Sequence, residues 1–223
     1  MALVTCGGAD VLRGRISLPL CGVWFADLLV DAKKAQSGSV TIKAQGGLEL
    51  KGTVYGPSGV EIDTAHVRVV GGAGGMWKPV SKAFRQAKLR DPLDAIVRAA
   101  SETRSSTVAP ELLAVSLTEW VIAGHRASAA LDDLADAAAR ALGGAVNWRL
   151  LADGSVWMGI ESWSAAKLPK DADILKQYPA ERRYVIGAST PALLPGVDLD
   201  GVGKVRAVDH FIEPSSIRSW AWI

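Results

Sequence analysis

From residue 14 to residue 70 the chain runs as short apolar stretches, each stopped by glycine or proline, and this punctuation limits what it can fold into. Val40-Thr41-Ile42-Lys43 and Leu48-Glu49-Leu50-Lys51 alternate apolar and polar residues. Alternation of that kind half-buries a strand and does not fit a helix. Gly46-Gly47 between them supplies a hairpin turn. Arg15-Ile16-Ser17-Leu18 stops at Pro19, residues 23–30 follow Gly22, residues 52–55 run into a Gly56-Pro57-Ser58-Gly59 turn, and residues 65–70 form a further strand. Short strands at this spacing, bounded by turn residues, predict a small barrel or sandwich over residues 1–76.

The periodicity changes over residues 77–143, which read as a helical and connecting region. Asp91 is placed to cap a helix with Pro92 at its first position, where the missing N–H costs nothing. Leu93, Ile96, Val97 and Ala100 then make one apolar stripe. Pro110-Glu111 opens a shorter helix. A longer one starts at Ser128, whose hydroxyl can accept an orphan N–H, and Leu131, Leu134, Ala135, Ala138 and Leu142 line one face. Asp132, Asp133 and Asp136 toward its start and Arg140 toward its end suit the helix dipole, and Gly143 stops it. Lys78 to Arg90 reads as a solvated helical face or connector.

Residues 144–223 return to strands. Asp153-Gly154 between residues 146–151 and 156–160 signals a hairpin, and a two-residue loop sets Trp148 opposite Gly159 and Leu150 opposite Trp157. Residues 164–180, rich in Lys and Asp with Pro169 and Pro179, read as a connector. Residues 184–188, 202–212 and 217–223 complete the strands, with Pro214 separating the last two. The fold class expected is therefore α+β, mainly β: two small β-barrel modules, 1–76 and 144–223, joined by the helical region 77–143 and able to share strands.

Chemistry is sparse. The net charge of +2 predicts no electrostatic partner, and no basic stripe suited to nucleic acid is visible. Cys6 and Cys21 lack the second pair a metal site needs and are expected as two buried thiols. The start of the chain lacks the basic and apolar segments of a signal peptide, and no apolar run is long enough for a membrane span. Gly71-Gly72-Ala73-Gly74-Gly75 has neither the Lys-Ser/Thr of a phosphate loop nor a dinucleotide fingerprint, so it reads as an exit loop. His66, His125 and His210 are isolated, and Asp198 and Asp200 fit a turn before Gly201 better than a liganding loop, with Asp209 apart from both. Catalytic, cofactor-binding and metal residues are all expected to be none. The eight tryptophans weigh toward core or subunit interface over a sugar platform.

Three stretches carry a resemblance. Residues 14–30, with Leu50-Lys51-Gly52-Thr53-Val54 and the run 69–75, look like the opening barrel of bacteriophage tail baseplate hub proteins, a family that includes late-control proteins and the hub part of type VI secretion spikes. Residues 128–135 leading to 146–159 resemble the hub's helix and its Trp-bearing hairpin. Residues 194–201 and 205–212, ahead of Arg218-Ser219-Trp220-Ala221-Trp222-Ile223, resemble its closing barrel. The resemblance implies a non-enzymatic homotrimer at the virion tail tip, assembled in the host cytoplasm. It implies six barrels adapting a hexameric tail tube, or distal tail proteins, to a trimeric spike or tip protein, with DNA passing through the axial channel without specific binding. Trp220, Trp222 and Ile223 are the expected subunit interface, since a terminal apolar strand left unpaired would aggregate. A tail-associated cell-wall hydrolase and a carbohydrate- or receptor-binding module stand as alternatives.

Overall fold

The structure is a computed structural model describing residues 2–31, 36–56, 59–61, 63–168, 172–187 and 193–223. The expected turn at Pro57-Ser58, Pro169 of the expected connector and residue 188 of an expected strand lie outside them. The chain forms two compact units, one from 1–20, 24–71 and 162–223 and the other from 21–23 and 72–161.

The first unit begins with a closed barrel. β1 (Val4–Cys6), β2 (Ala9–Pro19), β3 (Phe25–Asp31), β4 (Ser39–Ala44), β5 (Glu49–Val54) and β7 (Thr64–Gly71) pair in the order β1-β4-β5-β7-β3-β2, and β1 pairs with β2 to complete the ring. β6 (Gly59–Glu61) pairs with the first residues of β7, Thr64 to His66. Alternation does what the sequence indicated: Ile16, Leu28, Val30, Ile42, Leu50 and Val67 are buried while their neighbours face outward. Gly46 and Gly47 make the β4–β5 turn at φ values of 93° and 98°. Trp24, 2% exposed, fills one end of the interior. A Cβ on Gly52 would lie 2.8 Å from its ring and one on Gly71 2.6 Å from its Nε1, so both glycines are seats for the indole.

The second unit holds β8 (Pro79–Lys88), α1 (Arg90–Ala99), α2 (Pro110–Leu113), β9 (Ser116–Arg126), α3 (Ala127–Leu142), β10 (Asn147–Leu150) and β11 (Val156–Gly159). The helices stand where expected, and the stripe Leu93, Ile96, Val97 and Ala100 is buried. The region is not wholly helical, however. β8 and β9 pair as a two-stranded antiparallel ribbon, so Lys82, Arg85 and Lys88 project from a strand. Thr118, Val121 and Ile122 favour extended backbone, and Val80, Trp120 and Ile122 are buried along one face of the ribbon. Two helix starts also differ. α3 begins one residue earlier, at Ala127, with Arg126 as an N-cap that makes no side-chain bond, and its first turn holds no acidic residue. Leu89, not Asp91, is the N-cap of α1, and Asp91 instead accepts a hydrogen bond from the Lys88 N–H at 3.2 Å. Gly143, at φ 68°, ends α3 as expected, donating to the Ala139 carbonyl.

The β10–β11 hairpin is one residue out of the expected register. Asn147 faces Gly159, Trp148 faces Met158 and Arg149 faces Trp157. Gly154 alone of the loop takes positive φ, 83°, while the Asp153 carboxylate accepts from Ser155 N–H at 2.9 Å and Oγ at 2.7 Å. A two-residue type I′ loop needs positive φ at both positions. The Asp153 bonds favour a three-residue loop between Leu151 and Ser155, whose backbones bond at 2.8 Å.

The chain then returns to the first unit as β12 (Ser164–Ala166), β13 (Asp173–Tyr178), β14 (Arg183–Gly187), β15 (Val197–Leu199), β16 (Gly203–Lys204), β17 (Ala207–Glu213) and β18 (Ser216–Trp222). β13 and β12 lie where a connector was expected. β12, β15 and β16 form a three-stranded sheet. The others extend the barrel sheet: β17 pairs with β2, then β18, β14 and β13 follow in order. β2 is long enough to do both jobs. Its first residues, Ala9 and Asp10, pair with β1, and residues 14–19 of the same strand pair with β17. Boundaries at 76/77 and 143/144 therefore do not separate the compact units, because the strands at the two ends of the sequence share one sheet. Among the described residues, ring closure is seen in the first strand set only.

Candidate interaction surface

The sites weighed from sequence resolve mostly into structure. The glycine-rich loop does form a cradle of N–H groups, and the chain fills it itself. Ala73 N–H and Gly75 N–H donate to the Glu102 carboxylate at 2.7 and 3.0 Å. A Cβ on Gly72 would strike that carboxylate and one on Gly75 the Ala100 carbonyl, so the loop is glycine-rich to admit Glu102 and the end of α1.

The three histidines are not brought together. His66 is exposed on β7 and His125 is exposed with Asp133 3.6 Å away. His210 is fully buried on β17. Its Nε2 donates to the Leu193 carbonyl at 3.2 Å, which leaves Nδ1 to accept from Ser219 Oγ at 2.8 Å. Burial pushes its pKa down to about 4, against smaller raising effects from the Leu193 bond and Asp209. Asp198 and Leu199 pair with β16 across a tight turn, as the turn reading expected. Among the described residues no three His, Cys, Asp or Glu side chains are grouped to hold a metal ion, and no helix is long and apolar enough to cross a membrane. Neither Cys6 nor Cys21 forms a disulfide, and only Cys6 is buried; Cys21 is exposed. Burial raises the Cys6 thiol to about 11, which keeps it protonated and unreactive.

The tryptophans divide by depth. Trp24, Trp120 and Trp148 are core, the last donating from Nε1 to Asp132 at 2.7 Å. Three of the half-buried ones carry cations of the same chain on their rings. Arg149 lies over Trp157 at 4.4 Å, Arg183 over Trp220 at 4.3 Å, and Lys204 over Trp163 at 5.3 Å. A ring face already stacked by a guanidinium is a poor sugar platform.

The strand that carries Trp220 and Trp222 and leads into Ile223 is not left unpaired. β18 is paired on both sides, by β17 and β14, and Ile223 N–H donates to the Arg182 carbonyl at 3.0 Å. No unpaired terminal strand is left. Trp220 and Trp222 nonetheless share one half-exposed face, their centroids 6.2 Å apart. Strand register brings residues unseen in the sequence to that face. Phe211 lies 4.5 Å from Trp220 and Arg15 of β2 lies over Phe211. Arg183 is held between Tyr178 and Trp220, 4.3 Å from each centroid, and donates to Glu181 at 3.0 Å. Under the same face Arg15 bonds Asp209 at 2.6 Å, and farther along Arg68 grips Asp27 with two bonds of 2.6 and 2.9 Å. A groove of about 540 Å³ runs there between Arg13, Asp27, His66 and Phe211. Arg, Trp and Tyr are the residues enriched at the centres of protein–protein interfaces, and here they stack on one face. Tyr178 lay in the expected connector, and Arg183 is ordinary until three strands assemble around it.

No family model matches the chain, and no curated protein matches it. Solved structures do. The 43 kDa tail protein of prophage MuSo2 from Shewanella oneidensis aligns over 98% of this chain and 96% of its own with TM-score 0.65 and 11% identity. The Escherichia coli c3393 protein, a component of the type VI secretion system with structural similarity to the T4 bacteriophage tail proteins gp27 and gp5, aligns over 98% of this chain and 75% of its own with TM-score 0.66 and 14% identity. A tail protein from Neisseria meningitidis MC58 aligns over 98% and 94% with TM-score 0.63 and 10% identity. The chain has the fold of these phage-tail-like proteins.

Proposed function

We propose that this chain is a structural component of a phage tail, a baseplate hub that forms a trimeric ring between a hexameric tail tube and a trimeric tip, and that it turns over no substrate. The observation that carries this reading is the shared fold over 98% of the chain with two tail proteins and a secretion-system component. The face built by β17, β18 and β14 supports it, because it offers protein-binding chemistry. Ion-paired carboxylates and a glycine loop filled by Glu102 offer no reactive constellation.

Among the described residues only the first strand set closes, and it passes β2 to the second set. The β17–β18–β14–β13 sheet must then fill the second place in a sixfold ring. Trp220, Trp222 and Ile223 belong to the subunit contact in this proposal.

Images of the native particle test it: threefold density for this chain at the tail tip, with three chain masses by light scattering, is the expected result. A chain that stays monomeric and is absent from the tail tip would sink the hub reading. Cleavage of purified peptidoglycan would replace it with the hydrolase alternative, and a shift of tryptophan emission on adding bacterial glycans would replace it with the receptor-binding one.

A further inference from the structure

Two surfaces of the chain carry opposite charge, and on each a charged side chain, Arg218 or Asp136, makes no ion pair among the described residues. The first is the aromatic–arginine face. Arg218 stands exposed on β18, two residues from Trp220, with Phe211 directly across on one side and Gly187 on the other. Among the described residues it makes no ion pair. Lys176 projects from β13 in line with Val185 and Trp220, over the Tyr178 ring at 4.6 Å. Leu175, 56% exposed, covers the gap left by Gly187, so the cations border apolar surface.

The second surface is the outer side of α3, where Asp132, Asp133 and Asp136 are exposed. The helix begins at Ala127 and its first turn holds no acidic residue. The helix dipole acts within the first and last turns, so it does not explain aspartates placed beyond them. Asp132 accepts from Trp148 and Asp133 lies near His125, but Asp136 has no ion pair among the described residues.

We propose that the aromatic–arginine face of one copy docks on the acidic side of α3 of a second copy. The inference rests on the trimeric reading above and names the contact that would build it. The complementary patches are unlike, and both are on the same chain. Contacts between unlike patches are head-to-tail, and such contacts close into rings where a self-complementary patch would give a dimer. Threefold closure therefore needs this kind of contact. The stacked aromatics supply the desolvated centre and the Lys/Arg–Asp pairs the rim, where charge fixes partner and register.

A charge-swap experiment on the full chain tests this, read by light scattering with circular dichroism to confirm folding. Arg218→Glu with Lys176→Glu, and separately Asp133→Lys with Asp136→Lys, are each expected to weaken trimer association about tenfold or more. All four substitutions in one chain are expected to restore it. Weaker association of the wild type at raised salt is also expected. A trimer unmoved by either reversed pair, or not restored by the combined swap, overturns the contact while leaving the hub reading in place. A wild-type chain that forms no trimer overturns both.

Discussion

The closed barrel and the sheet that grows out of it share strand β2, yet they deal with their strand edges in opposite ways. In the barrel every edge is consumed, because β1 returns to β2. Its interior is apolar, plugged by Trp24 on two glycines. The β17–β13 extension ends at β13, whose other edge meets no strand among the described residues. It buries a polar side chain, His210, and places its aromatics on the outside. Closure lets a small sheet stabilise itself by burial alone. An open sheet with a dressed outer face is built to be completed by something else, and that contrast makes the extension the candidate for assembly.

The largest effect is expected in the barrel. Trp24→Ala removes an almost fully buried indole whose space no neighbouring side chain can fill, since Gly52 and Gly71 have none. A loss of about 3–5 kcal/mol in urea unfolding is expected. A loss below about 1 kcal/mol would mean that the barrel does not depend on its plug, and the contrast with the extension would fail.

The extension should instead be sensitive to acid. His210 is held neutral, its pKa lowered from 6.5 to about 4, so the unfolded chain takes up a proton before the folded one does. Its contribution is complete above about pH 6.5 and is lost as pH falls toward 4, a change of about 3 kcal/mol. Unfolding of the wild type and of His210→Gln at pH 7.5 and pH 4 should show a much flatter pH dependence in the variant. Hydrogen exchange near pH 4.5 should open β17 and β18 before β3 and β7. Equal pH slopes in the two proteins would contradict the assignment.

How much of this was legible in the sequence depends on the range of the interactions. Alternation around Ile42 and Leu50 gave β4 and β5 with their turn, and Gly143 gave the end of α3, because both signals are local. The β8–β9 ribbon was hidden by its charges: Lys82, Arg85 and Lys88 look the same on a solvated helix and on an exposed strand. The Asp153-Gly154 turn was visible, but the Asp153–Ser155 bonds that lengthen its loop depend on local geometry. Above all, the pairing of β2 with β17 leaves no local trace. Arg15 meets Asp209 across 194 positions. The aromatic–arginine face was legible only as two tryptophans near the C-terminus, since Arg183, Tyr178 and Phe211 join them through register.

At the junction of the two regions a smaller effect is expected. Arg15→Ala leaves Asp209, with 6% of its side chain exposed, as a buried carboxylate without its cation. Breaking a fully buried pair costs several kcal/mol. The Arg15 side chain is 47% exposed, so water screens the pair and a loss of about 1–2 kcal/mol by urea unfolding is expected. Arg15→Ala with Asp209→Asn should recover most of it. A loss as large as that of Trp24→Ala would show that barrel and extension unfold as one cooperative body and are not separable in energy.

The smallest effect belongs to the outside of the barrel, and it is informative because it should be near zero. Lys43 and Glu49 stand directly opposite each other at the β4–β5 turn, 3.5 Å apart, with 62% and 49% of their side chains exposed. A cross-strand ion pair this open gains little over hydration and is screened by salt. Lys43→Gln should change stability by no more than about 0.5 kcal/mol at physiological salt. The turn is already set by Gly46 and Gly47, and the register by Ile42 and Leu50 inside. A loss above about 1 kcal/mol would mean that surface charge holds this hairpin in place. Closure and apolar alternation would then no longer suffice to explain how the barrel holds its strands in register.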